Sequence, residues 1–184
     1  MPRTSKRIQL LEAAAAIVNE QGSEYLTLDA VAHKAGVSKG GLLYHFKNKT
    51  ALIQGLVDHA NTLYKTNVDG HWNKTASAEA GNMLRAFIEA TREHREENAS
   101  ITSGMLAAQG SNKNLLSPLQ DTYRDWQTQI EHDGLDPVDA TIIRLAIDGL
   151  WLSEIFGIDA IDDDMRQQVL DRLTAHSYSQ KEEK

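Results

Sequence analysis

Seven Lys and Arg residues stand in the first 49 positions, at 3, 6, 7, 34, 39, 47 and 49, against four acids at 12, 20, 24 and 29. The whole chain of 184 residues carries a formal charge of −7, which divides into +3 on residues 1–49 and −10 on residues 50–184. Clustered cations on an otherwise acidic chain are the electrostatic footprint of a phosphate-binding face, and the acidic remainder is repelled by the same phosphates. Other chemistries lack their groups. There is no cysteine, so disulfides, thiolate metal sites and thiol nucleophiles are excluded. The histidines at 33, 45, 59, 71, 94, 132 and 176 never stand three or four apart, so a helical metal site has no starting pair. No Gly-x-Ser-x-Gly, phosphate-cradling glycine loop or His-Glu-x-x-His occurs. The basic start is followed by Glu12 and by no small-residue cleavage pattern, which argues against a signal peptide.

The cations must be positioned by local structure, and the stretch Thr27 to Leu52 supplies it. Thr27 is a good N-cap, Asp29 places negative charge in the first turn, and Leu28, Val31, Ala32 and Ala35 recur at helical spacing. Gly36 follows where the chain must bend, and Ser38 can cap the next helix, about Lys39 to His45. Two short helices joined by a tight turn have the form of a helix-turn-helix, whose second helix enters the major groove of DNA. Gly40 and Gly41 each cost roughly 1 kcal/mol in a helix interior, so they occupy the first turn or face a body that must come close. A first helix from Ile8, ended by Gly22, completes a three-helix head with Ile17, Leu28, Val31, Leu42 and Phe46 in its core.

Val37-Ser38-Lys39-Gly40-Gly41-Leu42-Leu43-Tyr44-His45-Phe46-Lys47-Asn48-Lys49-Thr50-Ala51-Leu52 resembles the tetracycline-repressor (TetR) family of bacterial transcription regulators. Two positions depart from the usual pattern: Gly41 stands where Thr is common, and Leu43 stands where the family usually has a phosphate-contacting Tyr. The resemblance is specific over about residues 5–56. It implies an all-α chain of about nine helices, with a helix-turn-helix DNA-binding domain over 1–50 and a ligand-binding and dimerisation domain over 51–184. The residues then expected at the DNA are Lys6, Thr27, Ser38, Lys39, Gly40, Gly41, Tyr44, His45 and Lys49. Lys49, in the first turn of a fourth helix capped by Asn48, would clamp a phosphate together with free backbone N–H groups.

Beyond the head, the apolar spacing predicts that the fourth helix runs to about Gly70 and that a loop follows through Ser77. Helices are then expected at about Ala78–Glu96, Ala99–Gln109 (with Ile101), Pro118 to near Gly134, Pro137–Gly157 and Asp163–His176. Gly110–Ser117 reads as a loop and Tyr178–Lys184 as a disordered polar tail. The 137–157 helix spreads apolar or small residues over most of its circumference, so it must be buried on two sides. The family resemblance assigns its second side, with 163–176, to a homodimer interface. A two-fold pair of heads about 34 Å apart would read a palindrome.

Met83, Phe87, Met105, Tyr123, Trp126 and Trp151 are the apolar and aromatic candidates for a ligand pocket, with core packing as the competing role. Asp148, in Ala146-Ile147-Asp148-Gly149-Leu150-Trp151-Leu152, resembles a segment of cation-sensing regulators of the same family. A carboxylate near tryptophan faces suits a quaternary or planar cation, and a structural hydrogen bond is the alternative. No cofactor, metal or membrane partner is expected. The resulting reading is a cytoplasmic, ligand-responsive repressor that binds double-stranded operator DNA as a dimer and responds to a small-molecule effector. A regulator without effector, an activator, a non-specific nucleic-acid-binding protein and an enzyme without a known motif stay open as alternatives.

Overall fold

The computed structural model describes residues 5–74, 79–93, 98–156, 158 and 160–178, with backbone only at 98–102 and 155. The described residues are helical, without a strand. Those of Met1–Tyr64 and Glu96–Asp121 form one compact unit, and those of Lys65–Arg95 and Thr122–Lys184 a second. The boundary read from the sequence, between residues 50 and 51, falls inside the first of these.

In the first unit, α1 (Lys6–Gln21) is capped by Ser5, whose Oγ accepts the Ile8 N–H at 3.3 Å. α2 (Leu28–Lys34) begins at Thr27, whose hydroxyl accepts the Ala30 N–H at 3.1 Å. Gly36 takes a φ of 64°, the left-handed conformation that only glycine adopts cheaply, and this lets the Val37 N–H return to the Ala32 carbonyl at 3.0 Å. α3 (Lys39–His45) starts at once, with Ser38 accepting the Gly41 N–H at 3.1 Å. α4 (Lys49–Lys74) follows, with Asn48 Oδ1 accepting the Ala51 N–H at 2.8 Å. The helix-turn-helix read from the caps is therefore present. Ile17, Val31, Leu42 and Phe46 are buried as expected, and Leu28 is half-buried.

Two glycines set the packing of this unit. A Cβ at Gly55 would lie 2.7 Å from the Phe46 ring and 3.2 Å from Leu11, so its absence lets α4 close on α1 and the turn after α3. A Cβ at Gly104, on α6 (Asn98–Ser111), would lie 3.3 Å from the Leu56 carbonyl group. With Ser103, Ala107 and Ala108 also buried, α6 is a small-residue helix laid directly on the backbone of α4 and on α1.

Several boundaries differ from the sequence expectation, each for a tertiary reason. α4 does not stop at Gly70 but runs on to Lys74. The buried His71 ring lies 3.0 Å from Glu93, which ties the turn beyond Gly70 to a distant part of the chain. α5 (Asn82–Glu93) starts later than Ala78, because Gly81 at φ 80° breaks the helical path. Its cap comes from far along the chain: Asp133 Oδ2 accepts the Met83 N–H at 2.7 Å. Burial pushes the Asp133 carboxyl above the usual carboxylate range, against the opposing pull of those N–H groups. The segment read as a loop over 110–117 holds the end of α6 and a 3-10 turn, Lys113–Leu116. α7 (Ser117–Glu131) ends three residues before Gly134. The expected start at Ala78, the end at Glu96, the loop residues 75–77, Gly157 and the tail 179–184 lie outside the described residues, as do Met1–Thr4 and the side chain of Ile101.

The second unit is built round α5. Met83, Leu84, Ala86, Phe87, Ile88, Ala90 and Thr91 are all buried there, against α8 (Pro137–Phe156) and α9 (Asp163–His176). The buried Arg166 side chain pairs with Glu154 and donates to the Thr91 carbonyl at 2.9 Å, so it ties α9 to both α8 and α5. Tyr178 is not a loose tail residue. Arg85 donates to the Ser177 carbonyl at 2.9 Å and sets its guanidinium 4.4 Å over the Tyr178 ring. α8 divides into two stripes. Ala140, Ile143, Ile147, Leu150 and Trp151 are buried, while Val138, Ile142, Leu145, Ala146, Gly149, Leu152 and Phe156 are exposed.

Candidate nucleic-acid interface and ligand cavity

The basic face is assembled from α2, α3 and the start of α4. Leu42 is fully buried, and a step of 100° per residue then turns Gly40, Leu43 and Tyr44 away from the core. Tyr44 is 85 % exposed, and its ring meets the His45 ring edge-on at 5.1 Å. A Cβ at Gly40 would meet nothing within 4 Å, so the surface there is open for close approach.

The cations expected at DNA are not equivalent. Lys39 Nζ lies 2.9 Å from Asp29, which holds it across the turn, and Lys34 pairs with Glu20 at 2.7 Å. Such exposed pairs are weak and open easily to a phosphate. Lys6, Lys47 and Lys49 are exposed and carry no ion pair among the described residues. Arg7 lies over the Phe46 ring at 5.2 Å. The Thr27 and Ser38 hydroxyls accept capping hydrogen bonds that hold α2 and α3 in place, and each keeps its own O–H to donate. Lys49 stands on the first turn of α4, beside backbone N–H groups, where an anion is favoured. Changing Lys49 to Ala is expected to weaken binding to every duplex alike and to lower the slope of log affinity against log salt by about 1 unit. A salt titration in a mobility-shift assay measures this, and an unchanged slope removes Lys49 from the phosphate contacts.

The second unit contains a half-open cavity of about 540 Å³. One wall is the last turns of α4, with Lys65, Asp69 and Trp72; the other is α7, with Asp125, Trp126 and Gln129. Asp69, Asp125 and Lys65 have no ion pair among the described residues, so the lining carries a surplus negative charge. Of the residues the sequence pointed to, Trp126 alone lines this space. Phe87 and Tyr123 support it from behind, with edge-on ring contacts to Trp126 at 4.8 and 5.6 Å. Met83 and Trp151 are buried in the second unit, and Met105 lies on α6 in the first. Asp148 is tied to Arg144 one turn earlier, at 2.5 Å. Burial raises its carboxyl above the ordinary range, while Arg144 and a hydrogen bond from Tyr123 draw it down. Asp69, Trp72 and Asp125 were missed by the sequence reading. Their signal was an acid within three residues of a tryptophan, once on each helix, and it was hidden where Trp72 was assigned to a loop.

Two family profiles match the chain. Residues 10–56 match the family profile of bacterial regulatory proteins of the tetR family, and residues 81–178 match the tetracyclin repressor-like C-terminal domain. The chain is 26 % identical over 173 residues to the HTH-type transcriptional regulator BetI of Pectobacterium carotovorum, covering 85 % of this chain and 86 % of that one. Among solved structures it is similar to a TetR-family transcriptional regulator from Rhodococcus sp., with a TM-score of 0.71, 20 % identity and coverage of 93 % and 96 %. It is also similar to a transcriptional regulator from Saccharomonospora viridis in complex with choline, with a TM-score of 0.75, 18 % identity and coverage of 97 % and 100 %.

Proposed function

The chain belongs to the tetR family of bacterial regulatory proteins, and from that premise we propose that it is a dimeric repressor released from a palindromic operator by a small organic cation. Its family consists of DNA-binding transcription regulators, not enzymes. The observation that carries the ligand response is the single helix α4. It begins at Lys49 on the DNA-binding face and ends in Asp69 and Trp72 on the cavity wall. A ligand that prefers one setting of those last turns biases the position of Lys49, by its difference in affinity between the two settings and by no more.

The exposed Trp72 and two carboxylates suit a compact ammonium ion, held by a ring face and by charge together. The Saccharomonospora viridis relative binds choline, which supports the same class for this cavity. The exposed stripe of α8, with α9 beside it, supports the dimer, because a second copy is what a seven-residue apolar and small face needs to leave water. No helix among the described residues is long and apolar enough to cross a membrane, and a regulator of this kind works in the bacterial cytoplasm.

The test is a mobility-shift titration on a selected operator, with choline and with its uncharged analogue 3,3-dimethylbutanol. Choline is expected to release the DNA and the neutral analogue to be far weaker. Asp69→Asn and Asp125→Asn should each weaken the choline response about 2- to 5-fold, the loss of about 0.4–1 kcal/mol of ion-pair attraction at an open site. Equal action of the neutral analogue would overturn the cationic assignment. A panel of organic cations that moves neither the melting temperature nor the DNA affinity would favour a regulator without effector.

A further inference from the structure

The outward face of α3 offers few side chains with which to read bases by hydrogen bonds, the Lys39 ammonium and the exposed Tyr44 hydroxyl being the ones it has. It carries no Asn, Gln or Arg. Ser38 caps the helix, Lys39 is paired with Asp29 across the turn, and Gly40 and Gly41 have no side chain. The one aliphatic side chain open on that face is Leu43, which is 38 % exposed and stands beside the aromatic Tyr44. A helical side chain leans back over the preceding turn, so Leu43 covers the patch of Lys39 and Gly40, its neighbours at i−4 and i−3. That N-terminal turn is the part of a recognition helix that meets base edges in the major groove.

We infer that Leu43 reads a thymine through its C5-methyl group. A leucine can neither donate to nor accept from a base or a phosphate, and the thymine methyl is the one apolar mark that the major groove displays. The missing side chain at Gly40, with nothing within 4 Å of where its Cβ would stand, lets the helix come near enough for that contact. Leu43 thus has a different part from the phosphate-contacting Tyr of related sequences: it selects a base pair. Each half-site of the operator then holds a thymine under Leu43. The inference rests on the operator reading above and goes beyond it.

The test uses the full-length protein and an operator obtained by selection from random duplexes. Each thymine of a half-site is replaced singly by deoxyuridine, which keeps the base pair and removes only the methyl group. One position is expected to lose about fourfold in affinity, the worth of one buried methyl. In Leu43→Ala, whose exposed site leaves folding intact, the same deoxyuridine substitution should have no effect, so the two losses do not add. A full additional loss in Leu43→Ala at every thymine, or no methyl-dependent position at all, overturns the inference while leaving the operator reading standing. A selection that enriches no sequence overturns both.

Discussion

Leu145→Asp will run as a monomer and will lose at least 100-fold in affinity for the operator. Leu145 is 54 % exposed within its own subunit, so the substitution leaves the fold of that subunit largely undisturbed. In the proposed dimer it lies on the two-fold face of α8, where every substitution appears twice. Two unpaired carboxylates would then be buried, at a cost of about 3–5 kcal/mol each. A dimer interface does not survive that, and one head alone cannot span two half-sites. Light scattering measures the mass and a mobility shift the affinity. Gly149→Leu separates interface from fold more sharply still. A Cβ there meets nothing within 4 Å in the subunit, and leaving glycine gains about 1 kcal/mol of helix propensity. A subunit that melts no lower than before yet no longer pairs places Gly149 at a close contact between copies. If Leu145→Asp keeps the mass of the parent protein, α8 is not the interface.

Gly81→Ala will lower the stability of the second unit by about 3–5 kcal/mol. Gly81 sits at φ 80°, already strained for alanine, and the added Cβ would lie 1.8 Å from the Ser177 carbonyl oxygen. That neighbour is backbone, and it cannot swing aside. Arg85 grips the same carbonyl and the Tyr178 ring, so moving Ser177 breaks the clasp that holds the end of α9 to the start of α5. At about 2–4 °C per kcal/mol for a chain of this size, the melting temperature should fall by about 10 °C. Gly36→Ala is the control. It has a φ of 64° but open space around its Cβ, so it suffers the conformational cost of about 1 kcal/mol and no clash. Equal losses in the two variants would show that the clash at Ser177 is not the cause.

The head was legible because its signals are local. Thr27, Ser38 and Asn48 each cap the helix that follows them within three residues, and Gly36 bends the chain where it stands, so type and spacing suffice to place α2, α3 and the start of α4. The apolar spread round α8 was legible in the same way, because helical spacing alone places Ile142, Leu145, Gly149, Leu152 and Phe156 on one side. The places where the reading failed depend on distant residues. Glu93 ties down the turn of α4 beyond Gly70, and Asp133 caps α5 from 50 positions away. Arg85 turns the expected tail at Tyr178 into packed structure.

The ligand residues divide along the same line. Aromatic and acidic residues on α5, α7 and α8 could be picked out by type, but which of them faces open space and which packs the core is a matter of helix rotation against neighbours. Phe87 and Tyr123 brace Trp126, Asp148 answers to Arg144, and Asp69, Trp72 and Asp125 line the cavity instead. By itself the sequence determined the family, the all-helical fold and the basic helix-turn-helix head, because caps, turns and charge act over a few residues. Only the tertiary structure decided where the helices end, which carboxylates stay unpaired and where a cavity opens. Those outcomes depend on contacts between segments that no local pattern encodes.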